Sequence, residues 1–307
     1  MPEQTDRRLA RLEVRRSNTE GACLRIAVLI TSHSRRATTL RAVSAVRAAG
    51  STIDLQIVLL DDGSTDGTAL AVAATDPDAI ILRGDGNAFW NGGLYRAWSH
   101  ALSLEVDAFL WLNDDVALDA DALQRLAASY QELTSARGDE RFILVGATRN
   151  TTGAITYSGK LYRPYPFSFQ LDFVPPDAKN LCAVDAFNGN IVLVPRAVVD
   201  EIGINDPLFR HGLGDYEYGL RASRRGIAVL LMPQTLGVCE ANVRSRGKAF
   251  GGRDLSLREQ WRLVNTPKGL PFRDWWHITR LYSGKWFLLH FLIPYRWLVL
   301  PRRFRRS

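Results

Sequence analysis

The chain has 307 residues, 46% of them hydrophobic, enough for one large α/β domain or two smaller ones. Net charge is +7, but the first 16 residues hold five Arg against three acids and residues 302–306 hold four Arg, so the two ends carry +6 and the body is nearly neutral. That distribution argues against a nucleic-acid binder, which would show a basic face within its fold, and three widely spaced cysteines, Cys23, Cys182 and Cys239, argue against a disulfide framework or a CxxC zinc site.

Residues 1–23 read as a polar N-terminal arm with no apolar signal-peptide core, which fits a cytoplasmic protein. A strand is predicted over 24–31 (LRIAVLIT), a helix over 36–49, a strand over 55–60 and a short helix from about 66. A third strand follows at 79–82, then a glycine-bearing loop and a helix over 93–104. The fourth strand ends in the turn LNDDV, residues 112–116. Near-continuous apolar strands alternating with helices predict a doubly wound, mostly parallel sheet flanked by helices. Beyond residue 120 come a helix over 121–134, strands near 142–147 and 154–161, and a Pro- and aromatic-rich stretch at 162–176 that reads as a loop over the sheet edge. Strands return at 182–187 and 190–194, followed by a helix over 215–225 and a strand over 227–232. Residues 254–307 form an aromatic helical extension with a basic tail, so the expected division is an arm at 1–23, a central domain at 24–253 and this extension.

Two strand ends carry chemistry. Asn113, Asp114 and Asp115 follow an apolar run, so hard oxygen ligands stand at the carboxyl edge of the sheet. Carboxylates there suit Mg2+ or Mn2+ carrying a diphosphate, whereas helix capping explains a single Asp but not the cluster. In VLLDDGSTDGT, residues 58–68, Asp61 and Asp62 end a strand, and a carboxylate at that position can accept from a nucleobase imide or a ribose hydroxyl. Turn chemistry accounts for the Gly, Ser and Asp but not for the full string.

Together, IAVLITSHSRR, VLLDDGSTDGT and LNDDV resemble the family 2 glycosyltransferases of GT-A fold, over roughly residues 25–240. The resemblance implies a nucleotide-sugar-dependent, inverting glycosyltransferase. It places Thr31 and His33 beside the nucleotide base, Asp62 on the base and Asp61 on the ribose. GNAFWNGG, with Asn87, Trp90, Gly92 and Gly93, would pass under the nucleotide-sugar; Arg83 and Arg96 are either phosphate partners or ordinary surface arginines. Asn113 and Asp114 would lie at the ribose and diphosphate, with Asp115 as metal ligand. In FRHGLGDYEYG, Gly214 stands where the family carries Glu, and Asp215 keeps the position of the catalytic base. Asn188, His211 and Glu217 are acceptor-side candidates. Family members often carry a His after the late strand, where Cys239 or Glu240 falls here, which leaves the third metal ligand open; Arg244, Arg246 and Lys248 follow as a candidate lid on the diphosphate.

The expected partners are a nucleotide-diphosphate sugar and a saccharide or lipid-linked acceptor, in cell-surface polysaccharide or glycolipid synthesis. A sugar nucleotidyltransferase would show glycines after the first strand, which TSHSRR lacks, and a non-catalytic nucleotide-sugar-binding module would not need Asp62, Asp115 and Asp215 together. The segment 286–307 joins aromatic and aliphatic residues to four arginines, which suits either peripheral attachment to the anionic inner face of a membrane or a helical cap with a solvated tail.

Overall fold

The computed structural model describes residues 24–49, 53–165, 168–241 and 256–296. The N-terminal arm, the lid candidates Arg244, Arg246 and Lys248, and the four-arginine tail lie outside the described residues.

β1 (Arg25–Ser32) is the axis of the fold. Its side chains alternate between two cores: Ile26, Val28 and Ile30 point to one, Ala27 and Leu29 to the other. A strand so buried on both faces belongs inside a parallel sheet, and β1 pairs in parallel with β2 (Asp54–Asp61) on one side and β4 (Ala108–Asn113) on the other. β3 (Ile80–Arg83) adds in parallel to β2. Beyond β4 the reversed strand β12 (Ile191–Pro195) is inserted, followed by β6 (Phe142–Arg149) and β13 (Ala228–Val238), parallel to each other. Short strands β5 (Ala117–Leu118), β7 (Ile155–Tyr157) and β10 (Cys182–Ala183) finish this sheet.

Helices cover both faces. α1 (Arg36–Ala49), α2 (Thr68–Thr75) and α4 (Ala122–Arg137) fill the first core with Val43, Val46, Val72, Leu123 and Leu126. α3 (Phe89–Ala101), α5 (Arg196–Ile202) and α6 (Gly214–Arg224) fill the second with Leu94, Trp98, Val198, Tyr218 and Ala222. The strand order runs outward from β1 to β2 and β3, then returns to β4 on the opposite side. The sheet therefore has its topological switch point between β1 and β4, where such sheets open a crevice at the strands' carboxyl ends.

Three expectations are corrected. The stretch 162–176 is not a loop: β8 (Gly159–Tyr165) and β9 (Ser168–Val174) form an antiparallel pair, joined by β11 (Ala186–Phe187) into a second sheet. Pro164 is tolerated because β11 pairs only with residues 159 and 160, leaving that side of β8 unpaired at Pro164 among the described residues. α3 begins at Phe89 rather than 93, so the last five of the eight residues of GNAFWNGG are helix. β13 runs on to Val238, and α5 was not foreseen.

The C-terminal segment contains α7 (Leu257–Val264), α8 (Phe272–Tyr282) and α9 (Phe287–Leu292). Trp275, Ile278, Tyr282, Phe291 and Tyr295 share one apolar cluster with Phe209, Leu213 and Leu220, so these helices pack on α6 and the loop before it. Tyr162 Oη donates to the Tyr282 carbonyl (2.7 Å), tying in β8 as well. No helix among the described residues is long and apolar enough to cross a membrane. Trp275 is buried and its Nε1 donates to the His290 carbonyl (3.1 Å). Trp275→Ala is expected to cost about 3–5 kcal/mol, the usual scale for a buried Trp; an unchanged urea midpoint would show that the C-terminal helices contribute little to the fold.

Candidate active site

A cleft of about 550 Å³ opens at the switch point. The first wall is the end of β1 and the chain that follows: Thr31, Ser32, His33 and Arg35. Asn113 lies in register with Thr31, which brings Asn113, Asp114 and Asp115 beside it. The lining continues through 188–190, where the Asn190 carbonyl accepts from Asn113 N–H (3.1 Å), and through 211–213, Asp215 and Tyr216 at the start of α6. Phe89 and Trp90, the first residues of α3, also line it.

The carboxylate pair is held by Arg35. Its Nη1 donates to Asp114 Oδ1 (2.9 Å) and its Nη2 to Asp115 Oδ2 (2.8 Å). Burial pushes the Asp114 carboxyl up to about 6, against the attraction of Arg35; Asp115 pushes in the same direction as burial. Oδ1 of Asp115 points to Cys239 Sγ, 3.5 Å away. Burial holds the Cys239 thiol up at about 12, so it is a protonated neighbour rather than a ready ligand. Glu240 is turned away and accepts from Thr151. Among the described residues no three His, Cys, Asp or Glu side chains are grouped to hold a metal ion by themselves. What the site offers is carboxylate oxygen on one edge. That set fits Mg2+ or Mn2+ bound through one or two carboxylates and completed by substrate phosphates and water, and does not fit an all-protein cage.

Asp62 is buried, and its carboxylate accepts from the backbone N–H groups of Gly86 (3.0 Å), Ala88 (3.2 Å) and Phe89 (3.1 Å). Those bonds hold Phe89 at φ +55°, a conformation costly for any residue but glycine. His33 bonds the Asp62 carbonyl through Nδ1 (2.5 Å), so a neutral ring presents Nε2 as its acceptor. Trp90 is fixed edge-on to Trp111 with Nε1 donating to Asn113 Oδ1 (2.6 Å). A Cβ on Gly189 would fall 2.5 Å from Trp90, so that glycine makes room for the indole.

Asp215 reaches the cleft from the first turn of α6. Its Oδ2 accepts from Gly189 N–H (3.2 Å) and its Oδ1 from Tyr216 N–H (2.9 Å). Asn188 and His211 also line the cleft, with Asn188 Nδ2 donating to Tyr216 Oη (3.2 Å).

Five expected residues are not brought to the cleft lining. Asp61 is buried in the turn after β2, accepting from Ser64 N–H and pairing with Arg83 (3.6 Å). Asn87 bonds to Asp85 and Arg210 outside the lining. Gly92 also lies outside it and donates to the Arg210 carbonyl. A Cβ on Gly93 would fall 2.3 Å from Thr31 Cγ2, so this glycine serves helix–strand packing rather than a close approach to ligand. Glu217 is buried against Tyr282 Oη (3.1 Å) and Arg221 (3.2 Å), which directs it to the C-terminal helices; burial raises its carboxyl despite Arg221. Arg83 and Arg96 are absent from the lining too.

Ser32, Arg35, Phe89, Tyr157, Tyr216 and Lys268 line the cleft without having been singled out. Arg35 had a readable signal, a basic residue just past a strand that pairs with the Asp-bearing strand. Lys268 had none, because it arrives from the segment between α7 and α8 through tertiary packing.

Gly214 has a structural reason. A Cβ there would lie 2.0 Å from Asn91 Oδ1. Asn91 is fully buried and immobilised, donating to the carbonyls of Asp206 (2.8 Å) and Phe209 (2.5 Å) and accepting from Asn205 (2.9 Å). The family's Glu has no room beside it. Gly214→Ala is therefore expected to destabilise by about 1–3 kcal/mol, as overpacking does; made in an Asn91→Ala background, the same substitution should cost less than it does in the natural chain. A Gly214→Ala melt equal to that of the natural chain would refute the packing argument.

Comparisons with known proteins bear on the fold that carries this cleft. Residues 27–176 match the family model described as Glycosyl transferase family 2. No curated protein matches the sequence. Among solved structures, S. aureus TarS 1–349 in complex with UDP is similar at TM-score 0.56 and 11% identity, over 90% of this chain and 88% of that one. The mannosyltransferase PcManGT from Pyrobaculum calidifontis, in complex with GDP-Man and Mn2+, is similar at TM-score 0.50 and 17% identity, over 92% and 72%. GalNAc-T7 with UDP, GalNAc and Mn2+ gives TM-score 0.51 and 14% identity, over 92% and 57%. Against a longer TarS chain the match spans 88% of this chain but only 44% of that one. At these identities the likeness is one of fold. Residues 27–176 are thus a match to glycosyl transferase family 2, and the chain has the GT-A fold.

Proposed function

We propose that this chain is an inverting glycosyltransferase that moves a sugar from a nucleotide-diphosphate sugar to a hydroxyl of a saccharide or lipid-linked acceptor, in cell-surface polysaccharide or glycolipid synthesis. The observation that carries the reading is the placement of Asp215 in the same cleft as Asn113, Asp114 and Asp115. Single displacement with inversion needs a base for the nucleophile and charge compensation for the leaving group, on separate supports. Asp215 takes the proton of the acceptor hydroxyl as its oxygen bonds to the anomeric carbon. The bond from that carbon to the diphosphate oxygen breaks with its electron pair on the diphosphate. Gly189 N–H keeps one carboxylate oxygen of Asp215 oriented. Trp90, pinned by Asn113, offers an apolar surface to the sugar–nucleotide. A divalent cation at Asp115, carried in with the donor, would supply Lewis-acid stabilisation of the leaving diphosphate; the Mn2+ named with PcManGT and GalNAc-T7 supports that choice.

Asp215→Asn keeps the acceptor oxygen for Gly189 N–H but removes the base. It is expected to bind donor as the natural chain does while kcat falls by about 10² or more. Natural kcat in that variant would remove Asp215 from the mechanism.

The reading also includes attachment to a membrane surface, supported by Leu288 and Leu292, 59% and 58% exposed and one turn apart on α9, with Lys285 and Arg280 nearby in sequence. Replacing both leucines by Glu is expected to reduce co-sedimentation of the full chain with phosphatidylserine vesicles at low salt. Equal sedimentation of the two proteins would assign these leucines no part in binding.

A further inference from the structure

Arg35 has no part in the transfer step above, yet its guanidinium spans both acids of the strand end, one nitrogen on each. The acids are sheltered, their side chains 7% and 14% exposed, while Arg35 is 43% exposed and lines the cleft. It belongs to the rim, and its partners belong to the floor. An Arg fork engages carboxylate and phosphate oxygens with the same geometry, so it can exchange one for the other.

The charges around the cleft set a second condition. Among the described residues, Asp62, Asp114, Asp115 and Asp215 line it, against Arg35 and Lys268. A nucleotide diphosphate arriving alone meets more carboxylates than cations. A divalent cation arriving alone finds Asp115 Oδ2 and Asp114 Oδ1 already taken by a guanidinium, which repels it at close range. Each ligand removes the obstacle to the other: the diphosphate offers Arg35 new oxygens, and the cation offsets the carboxylates that the diphosphate must face.

We infer that Arg35 is an ion-pair latch on Asp114 and Asp115 that couples cation binding to nucleotide binding. In the free protein the guanidinium holds the two acids; when the donor enters it passes to the diphosphate, and the acids become available to the cation. Coupling of this kind is reciprocal, so the nucleotide tightens the metal by the same factor as the metal tightens the nucleotide. The inference rests on the reading of this cleft as a nucleotide-sugar site.

The test is Mn2+ binding to the full chain, read from the free-ion paramagnetic resonance signal with and without UDP or GDP. For the natural chain, a saturating nucleotide is expected to tighten Mn2+ by about tenfold or more. Arg35→Gln is expected to bind Mn2+ without nucleotide about tenfold tighter than the natural chain, with the coupling reduced. Asp115→Ala placed on Arg35→Gln should remove the gained affinity, which locates the ion. Nucleotide-free Mn2+ binding that is no tighter in Arg35→Gln, or a gain that survives Asp115→Ala, overturns the latch. Arg35→Met, which also removes the charge while keeping the apolar stem, is judged by the same criteria if the Gln variant lacks a cooperative melt. If neither nucleotide binds the natural chain, with Mn2+ or without, the donor-site reading fails, while the nucleotide-free Mn2+ comparison still decides the latch.

Discussion

Neighbouring carboxylates repel each other, and burial removes the water that would screen them. At the end of β4 this happens at the place where the sheet reverses its strand order, so charge and crevice coincide. The Asp114 carboxyl, pushed up to about 6, records the strain: burial outweighs the guanidinium that faces it. Asp114 and Asp115 stay at the strand end because Arg35, carried there by the β1–α1 connection, holds both. The parallel pairing of β1 with β4 sets this arrangement, since the register that puts Thr31 opposite Asn113 also puts Arg35 within reach of the acids.

The rest of the cleft is built by backbone held in place from below. Asp62, a full-length acceptor for three N–H groups, fixes the 86–89 turn and the strained Phe89, which starts α3 where Trp90 can meet Asn113. Asn91, one residue on, anchors the loop before α6 through the carbonyls of Asp206 and Phe209 and fills the space that a side chain at 214 would need. Two acidic positions of α6 thus diverge. Asp215 faces the cleft, whereas Glu217 is drawn to Tyr282 and links α6 to the C-terminal helices. Lys268, from that same C-terminal segment, reaches the cleft lining, so the extension contributes to the site as well as to stability.

The order of elements through β4 was legible because buried parallel strands leave continuous apolar runs, and α1 was placed residue for residue. The strand-end acids were legible for the same reason: polar clusters that interrupt such runs stand at the sheet edge. What the chain did not disclose were orientations. Asp61 and Asp62 are adjacent and alike, but the end of β2 turns one into a closing turn and the other toward the 86–89 loop. Gly93 and Gly214 read as ligand-side or family-specific positions, and only packing against Thr31 and Asn91 shows their purpose. The 162–176 stretch looked irregular because its prolines and aromatics break the alternation of a two-faced strand; its aromatics serve a small sheet that packs on the C-terminal helices.

The central claim is that one cleft holds the donor's diphosphate beside Asp114 and Asp115 and the catalytic base for the acceptor, Asp215, at the start of α6. A crystal structure of the full chain with an intact nucleotide-diphosphate sugar and Mn2+ tests it most directly. The account predicts the diphosphate between Arg35 and Asp115, the base near His33, and the Asp215 carboxylate on the side of the anomeric carbon away from the leaving oxygen. A nucleotide bound elsewhere, or an anomeric carbon whose open side faces away from Asp215, would contradict it.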